Sequence, residues 1–204
     1  MPAKPHDLHG NVPENATIAL LLIDVINDLT FADGKALLKH ALPMARRIAA
    51  LKRRARQCGI PSIYVNDNFG RWQSDFQKVI HHCLEEGVCG KPLATLLLPD
   101  DEDYFVLKPK HSGFYSTTLE LLLHALGVHT LILTGIAGNI CVLFTANDAY
   151  MREYTLVIPA DCVASNTVQE NKNALHLMQK VLKADIRPSP ELDLQHLLGS
   201  PRPQ

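Results

Sequence analysis

The feature that most constrains the fold is the alternation of short, wholly apolar segments with longer segments of helical periodicity. Strands that face water on one side alternate apolar with polar residues, whereas these segments are continuous apolar runs, some of them opened by a serine or threonine. Continuous apolar strands separated by helices are typical of a parallel sheet covered by helices on both faces. The sequence therefore predicts an α/β protein with three α/β/α layers and a doubly wound, mostly parallel, Rossmann-like sheet of six strands. The predicted strands are residues 18–23, 62–65, 104–107, 130–133 and 155–158, with 185–187 as a candidate short edge strand.

Helical periodicity fills the intervals between these strands, and glycine ends two of the helices, at Gly59 and Gly127. We expect one domain over residues 1–204, with a polar N-terminal arm at 1–16 and a tail at 188–204. Within the tail, residues 192–198 are a candidate short helix, packing either on a partner subunit or on its own domain. The predicted helices are residues 35–57, 74–84, 117–126, 140–151 and 168–183.

Composition excludes several classes of partner. Hydrophobic residues make up 47% of the chain and charged residues 20%, which is enough for a sizeable core, and the net charge is −1. Because basic residues are not clustered, neither nucleic acid nor a membrane surface is expected as a partner. The five cysteines show no C-x-x-C spacing, and no apolar leader precedes the first strand, so we expect reduced thiols and a cytoplasmic location.

Three chemically complementary residues follow predicted strands. Asp24 follows the first strand, Lys108 the third, and Cys141 the loop after the fourth. Ligands of parallel sheets collect at the carboxyl ends of the strands, so we expect the three side chains at one edge. There the carboxylate can take the thiol proton while the ammonium stabilises both ionised partners. Taken singly, Asp24 also fits a turn residue, Lys108 a solvated lysine and Cys141 a buried core cysteine.

Cys141 stands where a buried strand passes into a helix. The first N–H groups of a helix are unpaired, and the helix dipole favours negative charge at that end. Such a position is expected to lower the pKa of the thiol and to offer hydrogen-bond donors to an oxyanion.

Three motifs make the chain resemble the isochorismatase-like cysteine hydrolases, which include nicotinamidases and carbamoylsarcosine amidases. The first is an apolar strand running into Asp24, Asn27 and Asp28. The second motif is Lys108 followed by Ser112, Phe114, Thr118 and Leu119. The third is the segment from Gly135 to Cys141 followed by Val142, Thr145, Ala146, Asp148 and Ala149. Asp161 matches a later aspartate of the family.

This resemblance, over about residues 17–185, implies the same fold and catalysis by Asp24, Lys108 and Cys141. Lys110 is an alternative to Lys108, since it lies two residues on and so on the same strand face. The resemblance also implies a cis peptide between Ile136 and Ala137. It further implies an oxyanion hole from the backbone N–H groups of Ala137 and Cys141. A homodimer or higher homo-oligomer is expected on the same ground.

Departures from the family bear on cofactors and substrate. Many nicotinamidases bind a metal through Asp-x-His, but here Phe69 follows Asp67 where the histidine is expected, so we predict no metal and no other cofactor. Leu29 replaces a pocket phenylalanine, which disfavours a pyridine ring as substrate. Arg71 is a candidate clamp for a substrate carboxylate or an ordinary exposed arginine. The candidate pocket residues, for which core packing is the alternative, are Phe31, Asn68, Phe69, Trp72 and Phe114.

The resulting hypothesis is a cysteine hydrolase of a small-molecule substrate, cleaving a C–N bond of an amide or ureido compound through a thioester. The alternatives are an isochorismatase-type vinyl-ether hydrolase and a non-catalytic binding or scaffold protein. In the family the vinyl-ether reaction needs the aspartate but not the thiol, so the presence of Cys141 favours amide cleavage. A non-catalytic protein has no need of Asp24, Lys108 and Cys141 together.

Overall fold

A computed structural model describes residues 16–70 and 75–199 of the 204-residue chain. Within these ranges six strands form one sheet in the order β3-β2-β1-β4-β5, with β6 paired to β4, and every pairing is parallel. The predicted doubly wound α/β/α fold is confirmed. The strands are β1 (Ile18–Ile23), β2 (Ser62–Asp67), β3 (Tyr104–Lys108), β4 (Thr130–Ile136), β5 (Thr155–Val157) and β6 (Val163–Ala164).

The central strand β1 shows why its apolar run is unbroken. All six of its side chains are fully buried, and successive residues of a strand point to opposite faces. Ile18, Leu20 and Leu22 enter the core on one side of the sheet. Ala19, Leu21 and Ile23 enter the core on the other side. A strand with apolar contacts on both faces has no position left for a polar side chain until it ends.

Helices cover both faces, as the apolar pattern requires. Four pack on the first face: α1 (Gly34–Gln57), α2 (Phe76–Cys83), α3 (Lys91–Leu96) and α7 (Leu194–Leu198). Three pack on the second: α4 (Leu119–Leu126), α5 (Leu143–Met151) and α6 (Val168–Leu182). The helix α3 was not predicted from the sequence, since its six residues are too few to show a period. Among the described residues, no helix combines the length and apolarity needed to cross a membrane.

Near the carboxyl terminus the structure differs from one prediction and decides another. The expected edge strand at residues 185–187 is wrong, because Asp185 makes only an isolated bridge to Val157, and the sixth strand is instead β6. With two residues, β6 carries no periodic signal. The candidate helix in the tail packs on its own domain, where Leu192 and Leu194 join the first core. The Arg54 guanidinium holds this segment by donating to the carbonyl oxygens of Ser189 (2.7 Å) and Leu192 (2.5 Å).

The strand order places a crevice between β1 and β4. From β1 the chain winds through β2 to β3 in one direction, and from β4 it winds to β5 in the other. Helices that follow β1 and β4 therefore lie on opposite faces and leave the carboxyl ends of these two strands uncovered. Ile23, the last residue of β1, is in register with Gly135 of β4 and Val65 of β2.

A buried ammonium ties α1 to the segment before β3. Lys52 lies in α1 and is only 8% exposed. Its Nζ donates to Tyr64 Oη at 3.1 Å, Asp100 Oδ2 at 3.1 Å and Asp103 Oδ2 at 2.5 Å. The pKa of Lys52 is raised, since hydrogen bonds and negative charge outweigh the desolvation that lowers it. Asp103 has a side chain only 9% exposed and depends on this cation for compensation.

We therefore expect Lys52→Met to lower the free energy of unfolding by about 3 kcal/mol, because it leaves the buried Asp103 carboxylate unpaired. Urea denaturation followed by circular dichroism measures the change. The matched control is Lys35→Met on the exposed side of the same helix, expected within about 0.5 kcal/mol of the wild type. Equal effects of the two substitutions would contradict the assignment.

Candidate active site

The carboxyl edge of the sheet brings together the three side chains that the sequence singled out. Lys108 Nζ lies 2.8 Å from Asp24 Oδ2 and 3.6 Å from Cys141 Sγ. The Cys141 thiol is also hydrogen-bonded to the Asp24 carboxylate. A carboxylate, an ammonium and a thiol thus form one contiguous group at the crevice between β1 and β4.

Asp24 is fixed by the turn that ends β1. Its φ of 52° lies in the left-handed region, which aspartate tolerates better than most residues. Its backbone N–H still donates to the Val65 carbonyl at 3.0 Å, so the residue stays attached to β2. Its carboxylate Oδ1 accepts the Asp67 backbone N–H at 2.7 Å. The side chain is therefore held from both oxygens and is only 6% exposed.

Lys108 is the last residue of β3, and its side chain is fully buried. Besides Asp24 and Cys141, its Nζ contacts the Lys110 carbonyl at 3.2 Å and Asp67 Oδ2 at 3.7 Å. The pKa of Lys108 is raised, because the charge of Asp24 and its other partners outweighs the desolvation that lowers it. Lys110 is exposed and contributes only its carbonyl oxygen, so the ammonium at this site belongs to Lys108.

Cys141 lies inside a π-helical turn, Gly138–Val142, that links β4 to α5. The chain enters this turn through Gly135, whose φ is 117° and whose backbone touches β1. A Cβ at Gly135 would lie 2.0 Å from the Ile23 carbonyl oxygen, so only glycine fits there. The peptide bond between Ile136 and Ala137 is cis.

The acid–base state of the site differs from the expectation for a thiol at a helix start. The pKa of Cys141 is raised to about 12, first by burial and then by the Asp24 charge, with Lys108 opposing both. The expectation of a lowered thiol pKa is therefore wrong. Burial also raises the pKa of Asp24, against the opposing charge of Lys108. The pair shares one proton.

A set of polar contacts not predicted from the sequence braces the turn that carries Cys141. Thr145 Oγ1 donates to the Cys141 carbonyl at 2.7 Å and accepts the Gly113 N–H at 3.0 Å. Ser112 Oγ donates to Asp148 and accepts the Phe114 N–H at 3.1 Å. The residues downstream of the lysine and of the cysteine therefore join the two loops to each other. Their spacing was visible in the sequence, but their contacts were not.

The π-helical turn is also supported on the side that faces Ser165 and α6. Ser165 Oγ accepts the Asn139 N–H at 3.2 Å and contacts Asn171 Oδ1 at 3.1 Å. A Cβ at Gly138 would lie 2.6 Å from Asn171 Oδ1, so the turn packs against α6 without room for a side chain.

The candidate pocket residues are placed unevenly. Asn68 is buried, with its N–H bonded to the Lys108 carbonyl at 3.1 Å, and Phe69 is half-buried beside it. Phe31 is 49% exposed. Phe114 is buried in the second core, under the Arg152 guanidinium (4.9 Å) and near Tyr154 (5.9 Å), so its contacts here are packing contacts. Trp72 and Arg71 lie outside the described residues. A substrate role for any of these residues stays a prediction.

The residues present do not fit a metal site of the Asp-x-His kind. Phe69 offers no ligand atom, and Asp67 uses its carboxylate to accept the Phe69 N–H at 2.6 Å and to face Lys108. Among residues 16–70 and 75–199, no group of three or more His, Cys, Asp or Glu side chains is arranged to hold a metal ion. His82 contacts Asp28 at 3.1 Å, and His81 is exposed on the same helix. No chemical step is therefore derived through a metal.

Comparison with known proteins gives a consistent picture. Residues 18–186 match the family model described as Isochorismatase domain. The isochorismatase family protein YaaI of Bacillus subtilis is 50% identical over 168 residues, covering 82% of this chain and 92% of that protein. Ureidoacrylate amidohydrolase RutB of Methylobacterium radiotolerans is 30% identical, covering 86% of this chain and 75% of that protein. The N-carbamoylsarcosine amidase structure from Thermoplasma acidophilum superposes with a TM-score of 0.67 at 27% identity, covering 87% of this chain and 99% of that one.

The shared proton generates a prediction about thiol ionisation. Besides burial, the Asp24 charge and its hydrogen bond raise the pKa of Cys141, so Asp24→Asn is expected to lower that pKa below about 12. Thiolate should then appear at lower pH, measured by its absorbance at 240 nm after subtraction of the same titration in a matched Cys141→Ala background. Glu102→Gln, at the opposite edge of the sheet, should leave the midpoint unchanged. An unchanged or higher midpoint in Asp24→Asn would refute the arrangement.

Proposed function

The chain belongs to the isochorismatase family and is a hydrolase, and from this we propose that it cleaves a C–N bond of a small amide or ureido compound through a thioester on Cys141. One observation carries the proposal: the Lys108 ammonium contacts the Asp24 carboxylate (2.8 Å) and the Cys141 sulfur (3.6 Å) at once. A base, a nucleophile and a cation that serves both are the requirements of nucleophilic acyl transfer.

In the first step Asp24 removes the thiol proton as sulfur attacks the substrate carbonyl carbon. A thiol with a pKa near 12 holds little thiolate at neutral pH, so proton transfer accompanies attack. The C–S bond forms, the C=O π electrons move to oxygen, and the proton passes to the carboxylate. Because one negative charge leaves the carboxylate as another forms on the substrate oxygen, the net charge of the site does not change.

The resulting oxyanion is held by the backbone N–H groups of Ala137 and Cys141. Support comes from the neighbouring donors, which are engaged elsewhere: Asn139 with Ser165, and Ile140 and Val142 with the Ala137 carbonyl at 3.0 and 3.2 Å. A removed donor in such a hole typically costs about 10²–10³ in rate.

Collapse of the intermediate breaks the C–N bond. Asp24 returns its proton to the departing nitrogen, which leaves as ammonia or an amine, and the acyl group stays on sulfur. Asp24 then deprotonates a water molecule that attacks the thioester, releasing a carboxylic or carbamic acid and restoring the thiol. Throughout, Lys108 keeps its proton, since its pKa is raised, and supplies the fixed positive charge.

The names of two relatives support amide cleavage over vinyl-ether cleavage. Ureidoacrylate amidohydrolase and N-carbamoylsarcosine amidase are both named for C–N hydrolysis. In this chain the Cys141 thiol contacts the Lys108 ammonium, and acyl transfer would use this contact to stabilise the sulfur anion. A cytoplasmic location and a homo-oligomer also belong to the proposal, the first supported by the fact that all five cysteines are free.

Cys141→Ala is expected to lower hydrolysis at least about 10³-fold, because removing a nucleophile removes the covalent route. Mass spectrometry of the wild type mixed with a panel of small amides and ureido compounds should show an acyl adduct on the peptide carrying Cys141. Cys58→Ala is the matched control, since Cys58 is half-buried at the far end of α1. Full turnover of a true substrate by Cys141→Ala would rule out the covalent scheme.

A further inference from the structure

A fourth charged group, Asp67, adjoins the catalytic residues and has no part in the scheme above. It ends β2 directly beside Lys108, its register partner at the end of β3. Its Oδ2 lies 3.7 Å from Lys108 Nζ, and its backbone N–H donates to Asp24 Oδ1 at 2.7 Å. Two carboxylates therefore share one ammonium.

The Asp67 carboxylate is built into its position. Its Oδ1 accepts the N–H of Phe69, two residues on, at 2.6 Å, which closes a turn around the side chain. Phe69 adopts a φ of 53° in this turn. A carboxylate has about four acceptor positions, so the bond to Phe69 and the contact with Lys108 leave capacity for a further donor.

Exposure separates Asp67 from the buried pair. Its side chain is 32% exposed, against 6% for Asp24 and 0% for Lys108. Cys141 is likewise half-buried rather than buried. Asp67 is therefore the carboxylate of this cluster that an incoming molecule can reach.

The charges of the cluster do not cancel before substrate arrives. Asp24 and Cys141 with their one shared proton contribute one negative charge, Asp67 contributes a second, and Lys108 contributes one positive charge. The excess negative charge lies on the more exposed carboxylate. A carboxylate on a substrate near the sulfur would be repelled, whereas an N–H group would find an acceptor.

We propose that Asp67 is a specificity-determining residue that selects the group next to the scissile carbonyl. It accepts an N–H from a neutral primary amide or ureido group, or from a cation, and excludes a carboxylate at that position. This inference rests on the proposed role of Cys141 as nucleophile. It restricts the substrate class to compounds whose nitrogen donors lie beside the carbonyl and whose anionic groups, if present, lie farther away.

Two alkylating probes test this charge selection without a known substrate. Iodoacetamide and iodoacetate both form an S–CH2 bond and expel iodide, but the first carries a neutral amide with N–H donors and the second a carboxylate. Peptide mass spectrometry gives the alkylation rate of Cys141 with each probe at one pH. The ratio of the two rates, amide over acetate, is compared among the wild type, Asp67→Asn and Glu102→Gln.

In the wild type the ratio should exceed that of free cysteine. Asp67→Asn keeps an Oδ1 acceptor for the Phe69 N–H but removes the charge, so the ratio should fall about tenfold, as expected for one charge a few ångströms away. Glu102→Gln removes the charge of a side chain that is 72% exposed and paired with Arg56, and should leave the ratio unchanged. A ratio equal in the wild type and Asp67→Asn would overturn the inference.

A salt titration of the wild type tests the same claim without any variant, should Asp67→Asn fail to fold by circular dichroism. Raising the ionic strength from about 0.01 M to 1 M shortens the screening length from about 30 Å to about 3 Å. The iodoacetate rate should rise and the iodoacetamide rate should not, whereas an iodoacetate rate that falls or does not change overturns the inference. If small amides and ureido compounds leave no acyl adduct on Cys141 in the wild type, the proposed function itself fails, and the inference with it.

Discussion

The structure of the site depends on one buried cation. Lys108 ends a strand with its side chain fully enclosed, and a buried ammonium is tolerated only where opposite charge and acceptors surround it. Asp24, Asp67, the Lys110 carbonyl and the Cys141 sulfur supply these contacts from three strand ends and a loop. The same contacts that make the cation tolerable place a carboxylate and a thiol against it. The contacts that stabilise the ammonium are therefore also those that assemble the proposed catalytic group.

The sheet provides the geometry that this arrangement requires. Parallel strands in register bring Asp67 beside Lys108, and the order of the strands leaves the ends of β1 and β4 uncovered between helices of opposite faces. Gly135 lets β4 approach β1 closely, and Thr145 and Ser165 hold the nucleophile turn from two sides. Each of these contacts holds the backbone in place and takes no part in the proposed reaction. The reacting side chains need this support because their hydrogen bonds tolerate errors of only a few tenths of an ångström.

Charge balance links the ground state to selectivity. In the resting site, burial and the Asp24 carboxylate both disfavour a thiolate and raise the pKa of Cys141. In the proposed attack, negative charge moves from the carboxylate to the substrate oxygen while Lys108 stays charged. The net charge of the site is therefore the same before and after attack. A second, more exposed carboxylate, Asp67, adds a constant electrostatic bias against anionic groups near the sulfur.

The sequence alone determined the fold class and the three central residues. Continuous apolar runs that alternate with helical segments favour a sheet buried on both faces, and polar residues at the ends of such strands converge on one edge. It did not determine β6, α3 or the placement of the tail, since segments of two to six residues carry no periodic signal. Nor did it determine the pairing of Asp67 with Lys108, the braces from Thr145 and Ser165, or the raised pKa of Cys141. Those depend on register, burial and distances between strand ends far apart in the chain, which exist only once the tertiary structure has formed.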